Sequence, residues 1–418
     1  MKRIGNLFER VIDPENLRLA FLKASRGKRH RKDQRAWQEN LDSEIVRLRE
    51  GLINLNYSIG NYRRFTIYEP KEREICAASF GERVLHHALM NVCEPYFDKW
   101  LINDSYACRE GKGQSAALAR ARQFAHRHRW FLKCDFRKYF DSIPHDRLKM
   151  VLSRRFKDPI ILTWFGRIID SYEKTPGRGL PIGNLTSQHF ANLYLDRLDR
   201  LVGGAYVRYM DDFIIWADDK AKLIALRQQI IAFARDELGL ELKITPFINR
   251  TSQGMDFLGM RIYPDEIHLN RNSRVRYVRK VLAYEKNAMR GVWDEDELQR
   301  RVTSLTAFTE MAYARRWRQH NLAIREEQRV RTASTVAAAG TTTRRTAAPL
   351  TATGTSRATA TTTLGSASFA PQHRRMDFCA VPANCLFPSL DGTNCKVCRD
   401  ASSNVESCAA LVLSSGEH

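Results

Sequence analysis

Tyr209-Met210-Asp211-Asp212 lies between the apolar runs Ala205-Tyr206-Val207 and Phe213-Ile214-Ile215-Trp216. Two short runs rich in β-branched and aromatic residues, parted by a tight polar break, predict a β-hairpin with the acids at its tip. Adjacent carboxylates at a turn repel one another, and either solvent or a cation relieves that repulsion. A solvated turn needs no partner. A divalent-cation site needs a carboxylate from another strand.

Such a carboxylate lies upstream, in Phe131-Leu132-Lys133-Cys134-Asp135-Phe136-Arg137-Lys138-Tyr139-Phe140-Asp141-Ser142-Ile143. An apolar strand delivers Asp135 at its end, and a helical turn follows. Alone, Asp135 also reads as a helix N-cap after a buried strand. With Asp211 it can bridge two magnesium ions about 3.5–4 Å apart, which activate a hydroxyl and stabilise a leaving pyrophosphate without a side-chain nucleophile.

The bulk properties agree with a polyanionic substrate. The chain has 418 residues, 43% of them hydrophobic, and a formal net charge of +21. That length fills two or three domains, and the charge favours nucleic acid over a membrane surface because the cations are spread along the whole chain. No run of about 18 apolar residues exists to span a bilayer. The N-terminus lacks the apolar core of a signal peptide, so a cytoplasmic setting is expected. There Cys76, Cys93, Cys108 and Cys134 are reduced.

Outward from the two acidic motifs, residues 1–60 read as a basic helical extension, with a cluster from Arg26 to Lys32 that suits either RNA or a solvated face. Residues Tyr62 to Ser79 read as paired strands turning at Glu69-Pro70-Lys71, with Lys71 and Arg73 as cations for a triphosphate. Gly81 to Trp100 returns to helical periodicity. Asp104-Ser105-Tyr106-Ala107-Cys108-Arg109-Glu110-Gly111-Lys112-Gly113 precedes an alanine-rich helix, its glycines letting backbone approach phosphate. Arg178-Gly179-Leu180-Pro181-Ile182-Gly183-Asn184-Leu185-Thr186-Ser187-Gln188 opens another helix, capped by Thr186 or Ser187. A helix from Asp219 to Leu238 leads to Gly239-Leu240-Glu241-Leu242-Lys243, and Met255 to Ile262 reads as a hairpin. From Arg271 to Arg331 the chain is basic and helical with Tyr277, Tyr284, Trp293, Tyr313 and Trp317 interleaved, as suits either duplex phosphates or an aromatic core.

In this order the blocks resemble a reverse transcriptase over roughly residues 50–325. The resemblance implies an α+β right-hand polymerase: fingers and a ferredoxin-like palm over 61–265, a helical basic thumb over 266–330, and a C-terminal tail over 331–418. It implies Asp135, Asp211 and Asp212 as catalytic and metal-binding residues, the Phe136 carbonyl as a further ligand, and two Mg²⁺ ions, with Mn²⁺ as a substitute. It implies Lys71, Arg73, Phe140, Gln188 and Lys243 around the nucleotide, with Phe140 as the aromatic gate against a ribonucleotide 2′-hydroxyl. Arg109, Ile182, Gly183, Tyr209, Met210, Phe257, Leu258 and Gly259 would meet template and primer.

Within that family the block from Leu180 to Gln188 is similar to enzymes of diversity-generating retroelements, where retron and group II intron relatives carry Gln in place of Ile182. The resemblance implies misincorporation opposite template adenine, a template RNA with a DNA or RNA primer, deoxynucleotides, and a basic accessory variability protein as partner. A group II intron or retron polymerase is the alternative within the class, and a maturase needs a splicing domain after the thumb that the tail does not resemble. A catalytically idle RNA-binding protein of the same fold is the alternative outside it.

Residues 332–363 are mostly threonine and alanine without acids, a composition that builds no core. The codons of Val336 to Thr343, shifted back one base, permit Arg-Gly-Gly-Ser-Trp-Asn-Asn-Asn, which resembles the adenine-rich template repeat of a diversity-generating retroelement. The expectation is a frame running through its own repeat. The spacing of Cys379, Cys385, Cys395, Cys398 and Cys408 is poor for zinc.

Overall fold

The computed structural model describes residues 3–320 apart from 29–30, 69–70 and 244–245. The expectations for the tail, for residues 321–330 and for the turn at Glu69-Pro70 lie outside the described residues.

The chain opens with four helices, α1 (Phe8–Val11), α2 (Pro14–Ser25), α3 (Lys32–Glu39) and α4 (Leu41–Ile53). α2 starts where local chemistry dictates: Pro14 fixes the first helical φ, and the Asp13 carboxylate accepts from the Glu15 and Asn16 N–H groups. These helices are no separate appendage. Leu7, Val11, Leu17, Phe21, Trp37 and Leu48 are buried in one core with palm residues such as Leu132 and Phe213. The Asp158 carboxylate, which caps a palm helix, also accepts from Leu7 N (2.9 Å) and Phe8 N (3.1 Å).

Next come β1 (Arg63–Ile67) and β2 (Arg73–Ala77), an antiparallel pair, then α5 (Phe80–Trp100) and α6 (Gln114–Arg127). The palm follows as β3 (Trp130–Asp135), the short α7 (Tyr139–Ser142), α8 (His145–Ser153), α9 (Pro159–Asp170), α10 (Leu185–Tyr194), α11 (Asp196–Val202), β4 (Tyr206–Tyr209), β5 (Asp212–Ala217), α12 (Lys220–Phe233) and β6 (Phe247–Arg250). Its sheet has the order β4-β5-β3-β6 with every neighbouring pair antiparallel. That is the ferredoxin-like βαββαβ arrangement expected from the sequence. β3 and β5 occupy the centre, so their apolar residues Phe131, Leu132, Phe213, Ile214 and Ile215 are buried.

The chain continues into a three-stranded meander, β7 (Met255–Phe257), β8 (Met260–Ile262) and β9 (Ile267–Leu269), and then α13 (Arg271–Met289) and α14 (Glu295–Glu310). The described residues fall into two compact units, one through Val281 and one from Leu282 onward, so the boundary lies inside α13. Tyr277 is buried in the first unit. In the second, Tyr284 packs edge-on against Trp293 (5.4 Å between centroids) and the Arg301 guanidinium lies over Trp293 (4.3 Å). Most of the aromatics between the cations therefore serve packing, whereas Tyr313 is exposed.

One local expectation is corrected. α10 begins at Leu185 with Asn184 in the cap position, and Thr186 and Ser187 lie buried within the helix instead of capping it.

Candidate active site

β3 and β5 pair with Asp135 opposite Asp212, and β4 and β5 pair with Tyr209 opposite Asp212. Met210 and Asp211 are therefore the two-residue turn of the hairpin, and the acids converge at one end of the palm sheet. Directly opposed residues in an antiparallel pair have Cβ atoms about 4.5–5.5 Å apart, so Asp135 and Asp212 are neighbours by register. Met210 has φ +59°, a conformation that L side chains rarely adopt and that tends to persist where the surroundings impose it.

The electrostatics show an unmet demand for positive charge. The Asp212 carboxyl is pushed up to about 6 by burial, against the pull of Lys133 and with the repulsion of Asp135 and Asp211 adding to it. Asp211 is likewise pushed up, first by burial and then by the charge of Asp135, with Lys243 and Arg73 opposing. Among the described residues Asp212 Oδ1 is buried without a hydrogen-bond partner. Two ammonium groups answer part of the demand: Lys133 Nζ lies 3.2 Å from Asp212 Oδ2, and Lys243 Nζ donates to Asp135 Oδ2. Among the described residues no three acidic, His or Cys side chains are drawn together as a closed metal cage. The donor set still suits hard divalent cations: all-oxygen, anionic, with one orphaned oxygen and lysines standing in for positive charge.

Of the other expected residues, Lys243 and Arg73 are tied to this end of the sheet. Lys243 is placed by backbone pairing, its N–H donating to the Asp135 carbonyl (2.8 Å) while Phe136 bridges to Leu242. Arg73, at the start of β2, is exposed and near enough to Asp211 to oppose its raised pKa. Lys71 is exposed. Phe140 is half-buried, edge-on to Tyr139 (5.7 Å), and its carbonyl accepts from Leu180 N (2.8 Å). The Gln188 side-chain oxygen accepts from Cys108 Sγ (3.5 Å).

The Ile182 carbonyl accepts from Cys76 N (2.8 Å), which binds the Ile182-Gly183 loop to β2. Gly183 has φ +116°, and a Cβ there would meet Ile75 Cγ2 at 3.0 Å and the Cys76 carbonyl at 3.3 Å. Only glycine fits that turn and that approach together. Farther along, Leu258 (φ +50°) and Gly259 (φ +82°) turn the β7-β8 hairpin, Phe257 is buried, and the Leu258 carbonyl accepts from Gln114 Nε2 (2.6 Å).

Arg109 makes contacts within its own loop. Its guanidinium is 7% exposed and donates to the Asp98 carboxylate and to the Ile102 (2.6 Å) and Ser105 (2.9 Å) carbonyls, bracing its own loop. Its Nη2 also donates to the Asp98 carbonyl (3.2 Å).

Sequence reasoning passed over two cations. Lys133 stands two residues before Asp135 and so on the same face of β3, a signal that strand alternation carries. It pairs with Asp212 and also donates to the Asp256 carbonyl, joining the catalytic end of the palm to β7. Arg208 interrupts the apolar strand β4 and is fully buried, which demands a partner.

Comparison with known proteins gives a family match over part of the chain. Residues 69–262, which run from just before β2 to the end of β8, match the family model described as reverse transcriptase (RNA-dependent DNA polymerase). The uncharacterized 91 kDa protein in the cob intron of Schizosaccharomyces pombe is 27% identical over 171 residues, 39% of this chain and 20% of that protein. Protein YkfC of Escherichia coli is 24% identical over 278 residues, 54% of this chain and 72% of that protein. The group II intron-encoded protein LtrA of Lactococcus lactis is 24% identical over 139 residues, 32% of this chain and 23% of that protein. The chain thus spans about a fifth of the first and the third of these relatives. Among solved structures, apo telomerase from Candida tropicalis aligns at TM-score 0.40 and 12% identity, covering 57% of this chain and 54% of that one. No helix among the described residues is long and apolar enough to cross a membrane.

Proposed function

We propose that the chain is an RNA-directed DNA polymerase that extends a primer 3′-end on a template RNA. The observation that carries this is the register of the palm sheet, which sets Asp135 opposite Asp212 with Asp211 in the adjoining β4-β5 turn. Asp135, Asp211 and Asp212, with the Phe136 carbonyl, would hold two Mg²⁺ ions, or Mn²⁺ in their place. When bound, such ions lower the pKa of the primer hydroxyl and stabilise the leaving pyrophosphate.

The chain's own groups then have defined tasks. Arg73 and Lys71 bind and orient the triphosphate, and Lys243 and Lys133 balance the carboxylates whose repulsion burial magnifies. Gln188 lies beside the incoming base. Phe140 excludes a 2′-hydroxyl. Ile182 and Gly183 support the templating base, while Tyr209, Met210 and the Phe257-Leu258-Gly259 turn hold the primer end. Extension of a DNA primer on an RNA template, compared with Asp135→Asn, tests this assignment: equal rates would remove Asp135 from the reaction.

The finer reading is a polymerase of a diversity-generating retroelement, making adenine-mutagenised complementary DNA with a basic accessory protein bound to the template RNA. Its support is Ile182 in the block from Leu180 to Gln188, at a loop held directly against the β1-β2 hairpin. Similarity to a group II intron-encoded protein favours the second reading, an intron- or retron-type enzyme. Sequencing the products separates the two. Errors concentrated opposite adenine, reduced in Ile182→Gln, support the first, and errors spread evenly over the four bases support the second.

A further inference from the structure

Arg208 is fully enclosed. Its Nε donates to Asp199 Oδ1 (2.7 Å) and its Nη2 to Asp199 Oδ2, while Nη1 donates to Asn192 Oδ1 (2.6 Å) and Nη2 to the Asn192 carbonyl (3.2 Å). Tyr206 Oη donates to Asp199 Oδ1 as well (2.7 Å). Burial works against the guanidinium charge, and the Asp199 carboxylate outweighs it, holding the group above its ordinary range.

Three segments meet around this residue. Asp199 belongs to α11, and Asn192 to α10, the helix that follows the Ile182-Gly183 loop. The third is the block from Asp104 to Ala107. There the Arg208 N–H donates to the Asp104 carbonyl (2.9 Å), Tyr106 N donates to the Arg208 carbonyl (2.9 Å), and Asn192 Nδ2 donates to the Ala107 carbonyl (2.8 Å).

One further hydrogen bond leaves this cluster for the turn: Arg208 Nη1 donates to the Met210 carbonyl (3.0 Å). It takes the fifth N–H of the guanidinium, the other four being given to Asp199 and Asn192. Met210 is the residue at φ +59°, and its carbonyl belongs to the peptide that leads into Asp211. Holding that peptide plane, with Asp212 held in register on β5, narrows the directions in which the Asp211 Cα–Cβ bond can point. From this we infer that Arg208 is a positioning residue, which with Asp199 and Asn192 holds the Met210-Asp211 peptide so that the Asp211 carboxylate meets a divalent cation. The inference rests on the polymerase reading.

The test needs a variant that folds. Arg208→Met alone strands the Asp199 charge in the core, whereas Arg208→Met with Asp199→Asn removes both charges and keeps an acceptor for Tyr206. Mn²⁺ binding is read by electron paramagnetic resonance on the complex with an RNA template and a dideoxy-terminated primer. Thermal unfolding and primer–template affinity are measured alongside. The expected result is a double variant that melts near the wild-type temperature and binds primer–template normally, but binds Mn²⁺ about tenfold to a hundredfold more weakly. Arg208→Lys, which keeps the charge but not the planar fork, is expected to fall between. A folded double variant with wild-type Mn²⁺ affinity overturns the inference while leaving the polymerase reading intact. A wild-type chain that neither binds Mn²⁺ nor extends a primer overturns both.

Discussion

Lys133 Nζ lies 3.2 Å from Asp212 Oδ2, and the same ammonium donates to the Asp256 carbonyl at the start of the following meander. The link explains how a carboxylate among two other acids is tolerated in a largely enclosed position: its counter-charge comes from the neighbouring strand. It also couples the acidic turn to the hairpin carrying Phe257, Leu258 and Gly259.

Replacing Lys133 with Met should therefore act in two ways. Loss of the ion pair leaves Asp212 short of positive charge, lowering stability by about 1–3 kcal/mol in urea unfolding. The freed hairpin should raise the KM for the primer end more than it changes primer–template affinity. Wild-type values for both would show the lysine to be incidental.

The Asp212 carboxyl gives a second expectation, with a definite sign. Its folded pKa of about 6 lies above the unfolded value of 3.8, so between those limits the folded chain holds more protons. Its contribution to stability is therefore present at low pH and is lost as pH rises from about 4 through 6. A divalent cation binds the ionised form and offsets the loss. The rise in melting temperature on adding Mg²⁺ should be larger near pH 7 than near pH 5, and a rise of equal size at both would place the ion elsewhere.

His189 carries the opposite sign. Burial beside the Phe97 ring lowers its pKa from 6.5 to about 4, with Asp98 opposing weakly, so the unfolded chain takes up the proton first on acidification. Stability is full above about pH 6.5 and falls as pH drops below it, by on the order of 1–2 kcal/mol between pH 7 and pH 5. His189→Gln should flatten that part of the curve of stability against pH. The neighbouring Glu94, pushed up by its own burial, works in the other sense, so the informative quantity is the difference between wild type and variant.

Gly183→Ala should cost about 1–3 kcal/mol from its positive φ alone. The added methyl also meets Ile75 and the Cys76 carbonyl, so β2 must shift, carrying Arg73 with it. Weaker nucleotide binding alongside the lost stability, read from the KM for deoxynucleotide and from urea unfolding, is the expected pair of effects.

The palm was legible because its signals are local. The apolar runs around Asp135 and around Tyr209 to Asp212 announce strands, and a tight turn between β4 and β5 leaves one register. The N-terminal helices were legible as helices but not as core, since Leu17, Phe21 and Trp37 find their partners far along the chain. Arg109 looked like a phosphate ligand because glycines flank it. The partners it has in the structure, the Asp98 carboxylate and three carbonyls, are set by how the loop closes, which spacing does not encode. Lys133 and Arg208 could have been found by asking what a charge does inside an apolar strand. Their partners, by contrast, come from elements distant in sequence and needed the fold.

The most direct measurement is Mg²⁺-dependent extension of a DNA primer on an RNA template by the wild-type chain and by Asp211→Asn, with melting temperatures taken in parallel. On the proposed assignment Asp211 supplies charge that the transition state needs, so the variant should melt at or above the wild-type temperature yet extend at least about a thousandfold more slowly. Equal extension by the two chains would contradict the assignment of Asp211 and, with it, the two-metal site.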